Sequence, residues 1–146
     1  MSQTTRLALV RHGRTDWNRR GLLQGHTDTP LDDVGRAQAR DTARMLGADA
    51  WDTVVTSPLS RAVDTGRIIA AHLGNSIAGT YSDLIERSYG AAEGLTRADA
   101  EQRWPDCDFP DLEPMGRSVA DTVGQPHDHN TVPEPLTVPA FIGGTR

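Results

Sequence analysis

Leu7-Ala8-Leu9-Val10-Arg11-His12-Gly13 opens as an unbroken apolar run and stops abruptly at an arginine, a histidine and a glycine. An apolar run this short, with no polar residue alternating through it, reads as a strand buried on both faces of a sheet. Its polar end would then emerge at the carboxyl edge of that sheet. In open parallel sheets this edge is where ligands bind.

Beyond the strand, residues 17–30 show neither a helical nor an alternating period, and Gly21, Gly25 and Pro30 punctuate them, so an irregular segment is expected there. A helix follows. Asp32 is placed to cap it, Ala39, Ala43 and Leu46 recur at helical spacing, and Gly47 can terminate it. Thr53-Val54-Val55-Thr56 is β-branched throughout, which favours a second buried strand. Ser57-Pro58 reads as the start of a second helix running to about Leu73, with Leu59, Ala62, Val63, Ile69, Ala70 and Leu73 on its apolar face and Gly74 at its left-handed end. A weaker third strand is expected over residues 76–81. Thr96 and Asp99 form a capping pattern for a short helix that must end near Trp104, because Pro105 follows. Strands alternating with helices predict an α/β fold: a mostly parallel sheet with helices on its faces, in three α/β/α layers.

The chain has 146 residues, 36% hydrophobic and 24% charged, which fits one soluble domain. No apolar run approaches the roughly 20 residues of a membrane span, and the N-terminus turns charged too early for a secretory signal, so a cytoplasmic location without membrane contact is expected. The one cysteine, Cys107, excludes an internal disulfide and reads as a bystander. A net charge of −5 argues against nucleic acid as a partner. The character of the sequence changes after Phe109. Six of the nine prolines lie beyond that point, and no sustained period follows Val123. The expected organisation is therefore one domain over residues 1–123 and a Pro-rich irregular tail over 124–146. No internal repeat is present.

Three strand ends deliver chemistry-bearing side chains. A neutral imidazole at His12 can attack phosphorus, and Arg11 and Arg61 offer planar guanidinium forks that match phosphate oxygens. Arg61 also lies in the first turn of its expected helix, where backbone amides favour anions. Glu86, after the third strand, could protonate a leaving alkoxide, and Glu93-Gly94 suggests a tight turn nearby. Each residue also has a structural reading: a histidine beside a strand that serves packing, an arginine as a solvated helix charge, a glutamate on the surface. Spacing alone leaves the two readings level, and only their co-occurrence favours phosphoryl transfer.

Four segments carry a resemblance. Arg11-His12-Gly13 with its extension to Trp17-Asn18, then Gln24-Gly25 through Asp28-Thr29-Pro30-Leu31 with Gly35, Gln38 and Ala39, resemble the start of the histidine phosphatase superfamily, the phosphoglycerate mutase-like enzymes. Thr56-Ser57-Pro58-Leu59-Ser60-Arg61-Ala62 with Thr65 is similar to the family's second arginine motif. Leu84-Ile85-Glu86-Arg87-Ser88-Tyr89-Gly90 with Glu93-Gly94 is similar to its acid-donor segment. The order and spacing agree over about residues 6–105. The resemblance implies a phosphoglycerate mutase-like fold and a phosphoric monoester hydrolase working through a phosphohistidine. His12 would be the nucleophile, Glu86 the proton donor and Arg11 and Arg61 the phosphate ligands, while Asn18, Gln24, Gly25 and Tyr89 would line the substrate pocket. It implies no cofactor and no metal; His127 and His129 read as solvated. The partner would be a small phosphorylated metabolite.

The chain departs from the family in two places. The family's second histidine, in a His-Gly pair after a late apolar strand, has no counterpart here, and Gly116-Arg117-Ser118-Val119 resembles the motif that precedes it with Arg117 in place of an acidic residue. This predicts a fold incomplete at its C-terminal end, a truncation or frameshift after about Val123, a weakened phosphate cage, and exposed sheet surface favouring a homodimer. Reading the other frames of the gene tests the frameshift. Arg14 stands where the family usually has Glu or Gln, and its charge would either favour a more anionic substrate or face solvent. The rival readings are a phosphoglycerate mutase, which Tyr89-Gly90 after Glu86-Arg87 partly resembles, and a catalytically weak phosphate-binding remnant.

Overall fold

The computed structural model describes residues 5–107, 109 and 140–145, with backbone alone for Thr5 and residues 140–145. The strand quoted first is β1 (Thr5–Val10). Helix α1 (Asp16–Arg20) follows, inside the segment expected to be irregular. Thr15 caps it by accepting from the Asn18 amide while Asn18 answers with its side chain, and Gly21 closes it in the left-handed region at φ 67°. One helical turn is too short to show a period, and asparagine answers the cap where Glu or Gln is usual, so the sequence pattern concealed it.

Helix α2 (Asp33–Leu46) begins at Asp32 and ends at Gly47, as its capping residues predict. Strand β2 (Thr53–Thr56) and helix α3 (Ser60–His72) come next. The helix does not start at Ser57. Its first turn carries no side-chain cap of its own; instead Asp28, from a distant loop, accepts from the Ser60 amide at 2.7 Å and its hydroxyl at 2.8 Å. Ser57 is buried at the end of β2. Strand β3 (Ile77–Thr80), short 3-10 turns at Ser82–Leu84 and Gly90–Ala92, and helix α4 (Arg97–Arg103) complete the contiguous part.

The sheet order is β1-β4-β2-β3, where β4 is Ala140–Thr145. β4 runs antiparallel to both neighbours, from Ala140 opposite Val10 and Thr56 to Thr145 opposite Thr5. β2 and β3 are parallel. Three of the four strands therefore share one direction, and the fold is α/β. The expectation of irregular chain throughout residues 124–146 is corrected at 140–145. Ala-Phe-Ile-Gly-Gly-Thr has no strand alternation and reads locally as a turn. What makes it a strand is a row of backbone donors and acceptors on each side, those of β1 and β2, which must be satisfied. The remaining tail, including Gly116, Arg117, Ser118, His127 and His129, lies outside the described residues.

The main core joins Ala8 and Val10 of β1, Val54 of β2, Ala43 and Leu46 of α2, and Ile69 and Ala70 of α3. A second cluster of Leu23, Ala92, Ala100 and Phe109 lies under the loops, with Tyr89, Leu95 and Trp104 against it. Between them the chain crosses itself closely. A Cβ on Gly13 would lie 2.2 Å from the Gly35 carbonyl oxygen, so no larger residue fits where β1 passes the start of α2. Among the described residues no helix is long and apolar enough to cross a membrane.

Candidate active site

β1 ends two residues before His12, which its Gly13 neighbour and α3 lock in place. The Gly13 amide donates to the Thr65 hydroxyl at 3.1 Å, and that hydroxyl donates to the Arg61 carbonyl at 2.8 Å. The His12 ring is 5% exposed, with Nδ1 2.7 Å from the Gly13 carbonyl oxygen. A carbonyl only accepts, so Nδ1 carries the proton and the neutral ring keeps its lone pair on Nε2. Burial lowers the His12 pKa to about 3; the Gly13 carbonyl opposes this, and the charges of Arg61 and Arg11 add to it.

Folded His12 stays neutral while the unfolded ring takes a proton below its ordinary value of 6.5, so between pH 6.5 and about 3 the unfolded chain binds more protons. Stability contributed by His12 is complete above pH 6.5 and is lost on acidification towards pH 3, by several kcal/mol at the limit. His12→Gln cannot titrate, so its urea midpoint should fall less between pH 6.5 and 4 than that of the unaltered protein. Parallel curves would mean that the ring is not held neutral.

Arg61, in the first turn of α3, is 2% exposed. Its two terminal nitrogens donate to the carbonyls of Thr27, at 2.9 Å, and Gly25, at 2.7 Å. Two of a guanidinium's five N–H groups are thereby engaged, leaving three for an anion. Burial pushes the Arg61 pKa down, while Glu86, Asp28 and Glu93 hold it up and Arg11 lowers it further. Arg11, exposed at the rim, forms no hydrogen bond or ion pair with the described residues. Glu86 is half-buried and accepts from the Arg87 amide at 3.1 Å. Thus His12, Arg11 and Arg61 lie within reach of each other's fields, with Glu86 beside Arg61.

The other expected pocket residues are placed differently. The Asn18 and Gln24 side-chain carbonyls stand 2.9 Å and 2.7 Å from the Thr15 hydroxyl, and Gln24 also accepts from Thr29 at 2.5 Å, so both oxygens organise the loop. Gly25 meets the site through its carbonyl. Tyr89 packs on the second cluster under the Arg87 guanidinium, 4.9 Å from the ring centre. Its ring lines an open hollow of about 390 Å³, shared with Ser88, Trp104, Cys107 and Phe109, to which His12 does not contribute. Arg14 is partly buried and paired: its Nε donates to Asp32 at 2.7 Å, beside the α2 cap. Among the described residues no group of three His, Cys, Asp or Glu side chains could hold a metal ion.

Glu93, to which the sequence assigns a place in a turn and in the acid-donor segment but no role of its own, is a hydrogen-bonding hub in the structure. Its Oε1 accepts from the amides of His26 at 3.0 Å and Tyr89 at 3.1 Å and from the Ser88 hydroxyl at 3.2 Å. Its Oε2 accepts from the Thr27 amide at 2.9 Å and the Thr27 hydroxyl. Burial pushes the carboxyl up, but the Thr27 hydroxyl and the amides of His26, Tyr89 and Thr27 outweigh it and hold the pKa at about 2. No spacing rule could reveal this, since the donors lie more than sixty residues away in one loop and four or five in another.

The profile of the histidine phosphatase superfamily (branch 1) matches residues 7–124. The uncharacterised phosphatase PhoE of Bacillus subtilis (strain 168) is 43% identical over 111 residues, 76% of this chain and 57% of that protein. A 2,3-bisphosphoglycerate-dependent phosphoglycerate mutase of Methylobacterium sp. (strain 4-46) is 38% identical over 132 residues, 82% of this chain and 62% of the mutase. The chain thus spans about three-fifths of the length of these relatives. A solved mycobacterial glucosyl-3-phosphoglycerate phosphatase, complexed with VO3, superposes with a TM-score of 0.64 at 35% identity, over 69% of this chain and 49% of that one.

Proposed function

The chain belongs to the histidine phosphatase superfamily, and on that footing we propose that it hydrolyses a small phosphomonoester through a phosphohistidine at His12. The observation that carries the reading is a buried ring whose Nδ1 is fixed on the Gly13 carbonyl, beside a buried guanidinium with donors to spare. Nε2 attacks phosphorus and the P–O bond to the alcohol breaks. Arg61 and Arg11 hold the equatorial oxygens. The positive charge that develops on the ring strengthens the Nδ1–H bond to Gly13. Glu86 gives its proton to the departing alkoxide and, as carboxylate, then takes one from the water that attacks the phosphohistidine.

Relatives of both kinds, a phosphatase and a mutase, match the chain. One incubation distinguishes them. The protein is mixed with a ³²P-labelled phosphomonoester, quenched, and assayed for an acid-labile, base-stable phosphoryl group. Label on the protein with release of inorganic phosphate supports hydrolysis. Label moving between positions of a phosphoglycerate supports mutase action, and binding without label supports a weak remnant. Label surviving in His12→Ala would overturn the assignment.

A further inference from the structure

We propose that Glu93 is a positioning residue of the phosphate site: by tying the loop at residues 26–27 to the loop at residues 88–89, it fixes the two backbone carbonyls that aim the Arg61 guanidinium. The proposal rests on reading Arg61 as a phosphate ligand, and it adds the question of what holds that arginine in register.

A guanidinium on a long side chain is only as well placed as its anchors. Both anchors of Arg61, the carbonyls of Gly25 and Thr27, lie outside any helix or strand, in a loop with a turn bond from the Thr27 amide to the Gln24 carbonyl at 3.0 Å. The carboxylate of Glu93 ties that loop to another part of the chain, taking the His26 amide and both the amide and hydroxyl of Thr27. The same carboxylate takes Tyr89 and Ser88, three and two residues after Glu86. Gly25 is moulded to it: its φ is 53°, and a Cβ there would lie 2.3 Å from Glu93 Oε1. Five donors thus converge on two oxygens, and one residue sets the distance between the arginine loop and the acid-donor loop. Its negative charge also helps keep the buried Arg61 ionised.

Glutamine is nearly isosteric with glutamate but replaces one acceptor oxygen with an NH2 donor, so Glu93→Gln leaves either the Thr27 pair or the Oε1 donors facing a like group. The test is the affinity of the full chain for inorganic phosphate, measured by calorimetry in a double-mutant cycle with Arg61→Lys. Lysine keeps the charge but cannot bridge two carbonyls and an anion with one planar fork. Glu93→Gln should weaken phosphate binding by about tenfold in the unaltered background and by less than about twofold in Arg61→Lys. A glutamate that only stabilises the fold would have equal effects in both backgrounds. If Glu93→Gln does not fold, Thr27→Val, which removes one of the five donors, should weaken binding and Thr27→Ser should restore it. Full additivity, or no effect of Glu93→Gln or Thr27→Val, overturns the role of Glu93 while leaving the site reading intact. If Arg61→Lys binds phosphate as tightly as the unaltered protein, or neither binds it, the site reading itself falls.

Discussion

Replacing His12 with alanine is expected to lower the turnover of a phosphomonoester such as p-nitrophenyl phosphate by on the order of 10⁴-fold or more, while inorganic phosphate still binds within a few-fold of the unaltered affinity. The two halves of this expectation come from different groups. Bond making needs the Nε2 lone pair, which the hydrogen bond from Nδ1 to the Gly13 carbonyl leaves free. Holding the anion depends on Arg61, whose anchors at Gly25 and Thr27 do not involve the imidazole. Removing the nucleophile should therefore separate catalysis from binding. The check is kcat and phosphate affinity measured on the same preparation, with circular dichroism to show that the fold persists. Turnover above a tenth of the original would mean that phosphoryl transfer does not pass through residue 12.

The second large effect concerns folding. Ile142→Pro should abolish the cooperative urea transition, whereas Ile142→Val should keep it. Ile142 stands opposite both Ala8 of β1 and Val54 of β2, in the middle of a strand paired on each side. Proline has no amide to donate and its ring obstructs the neighbouring strand, which is why it is confined to sheet edges. The consequence extends past one lost bond. Among the described strands β1 pairs only with β4, so loosening β4 detaches the strand that carries Ala8 and Val10 into the core and presents His12. With total stabilities of about 5–15 kcal/mol, a domain cannot lose its connection to β1 and remain folded. A proline variant with an unchanged transition would show that β4 is dispensable to the sheet.

The elements legible from sequence are those whose signals are local. Asp32 and Gly47 bound α2, four β-branched residues make β2, and Thr96 with Asp99 opens α4, each through neighbours within a few positions. The elements that were missed or misplaced take their definition from distant chain. Asp28 satisfies the first turn of α3, thirty-two residues away from Ser60, so the local Ser57-Pro58 signal pointed to the wrong start. β4 has two glycines and no alternation, and it is a strand because β1 and β2 flank it.

The same division runs through the site. The residue types at 11, 12, 61 and 86 and their order along the chain supply a nucleophile, cations and an acid, the inventory that phosphoryl transfer needs, but their spacing left a structural reading level with it until the family motifs were added. Sequence by itself determined that inventory, along with the strand-then-helix alternation that sends it to one edge of a sheet. Only the tertiary structure decided that burial lowers the His12 pKa, that Arg61 hangs from two backbone carbonyls, that Glu93 gathers five donors from two loops, and that residues 140–145 join the sheet between β1 and β2. Protonation, aim and strand pairing are all properties of what lies across space from a residue, and neither burial nor a hydrogen-bond partner sixty positions away leaves a mark on the spacing of letters.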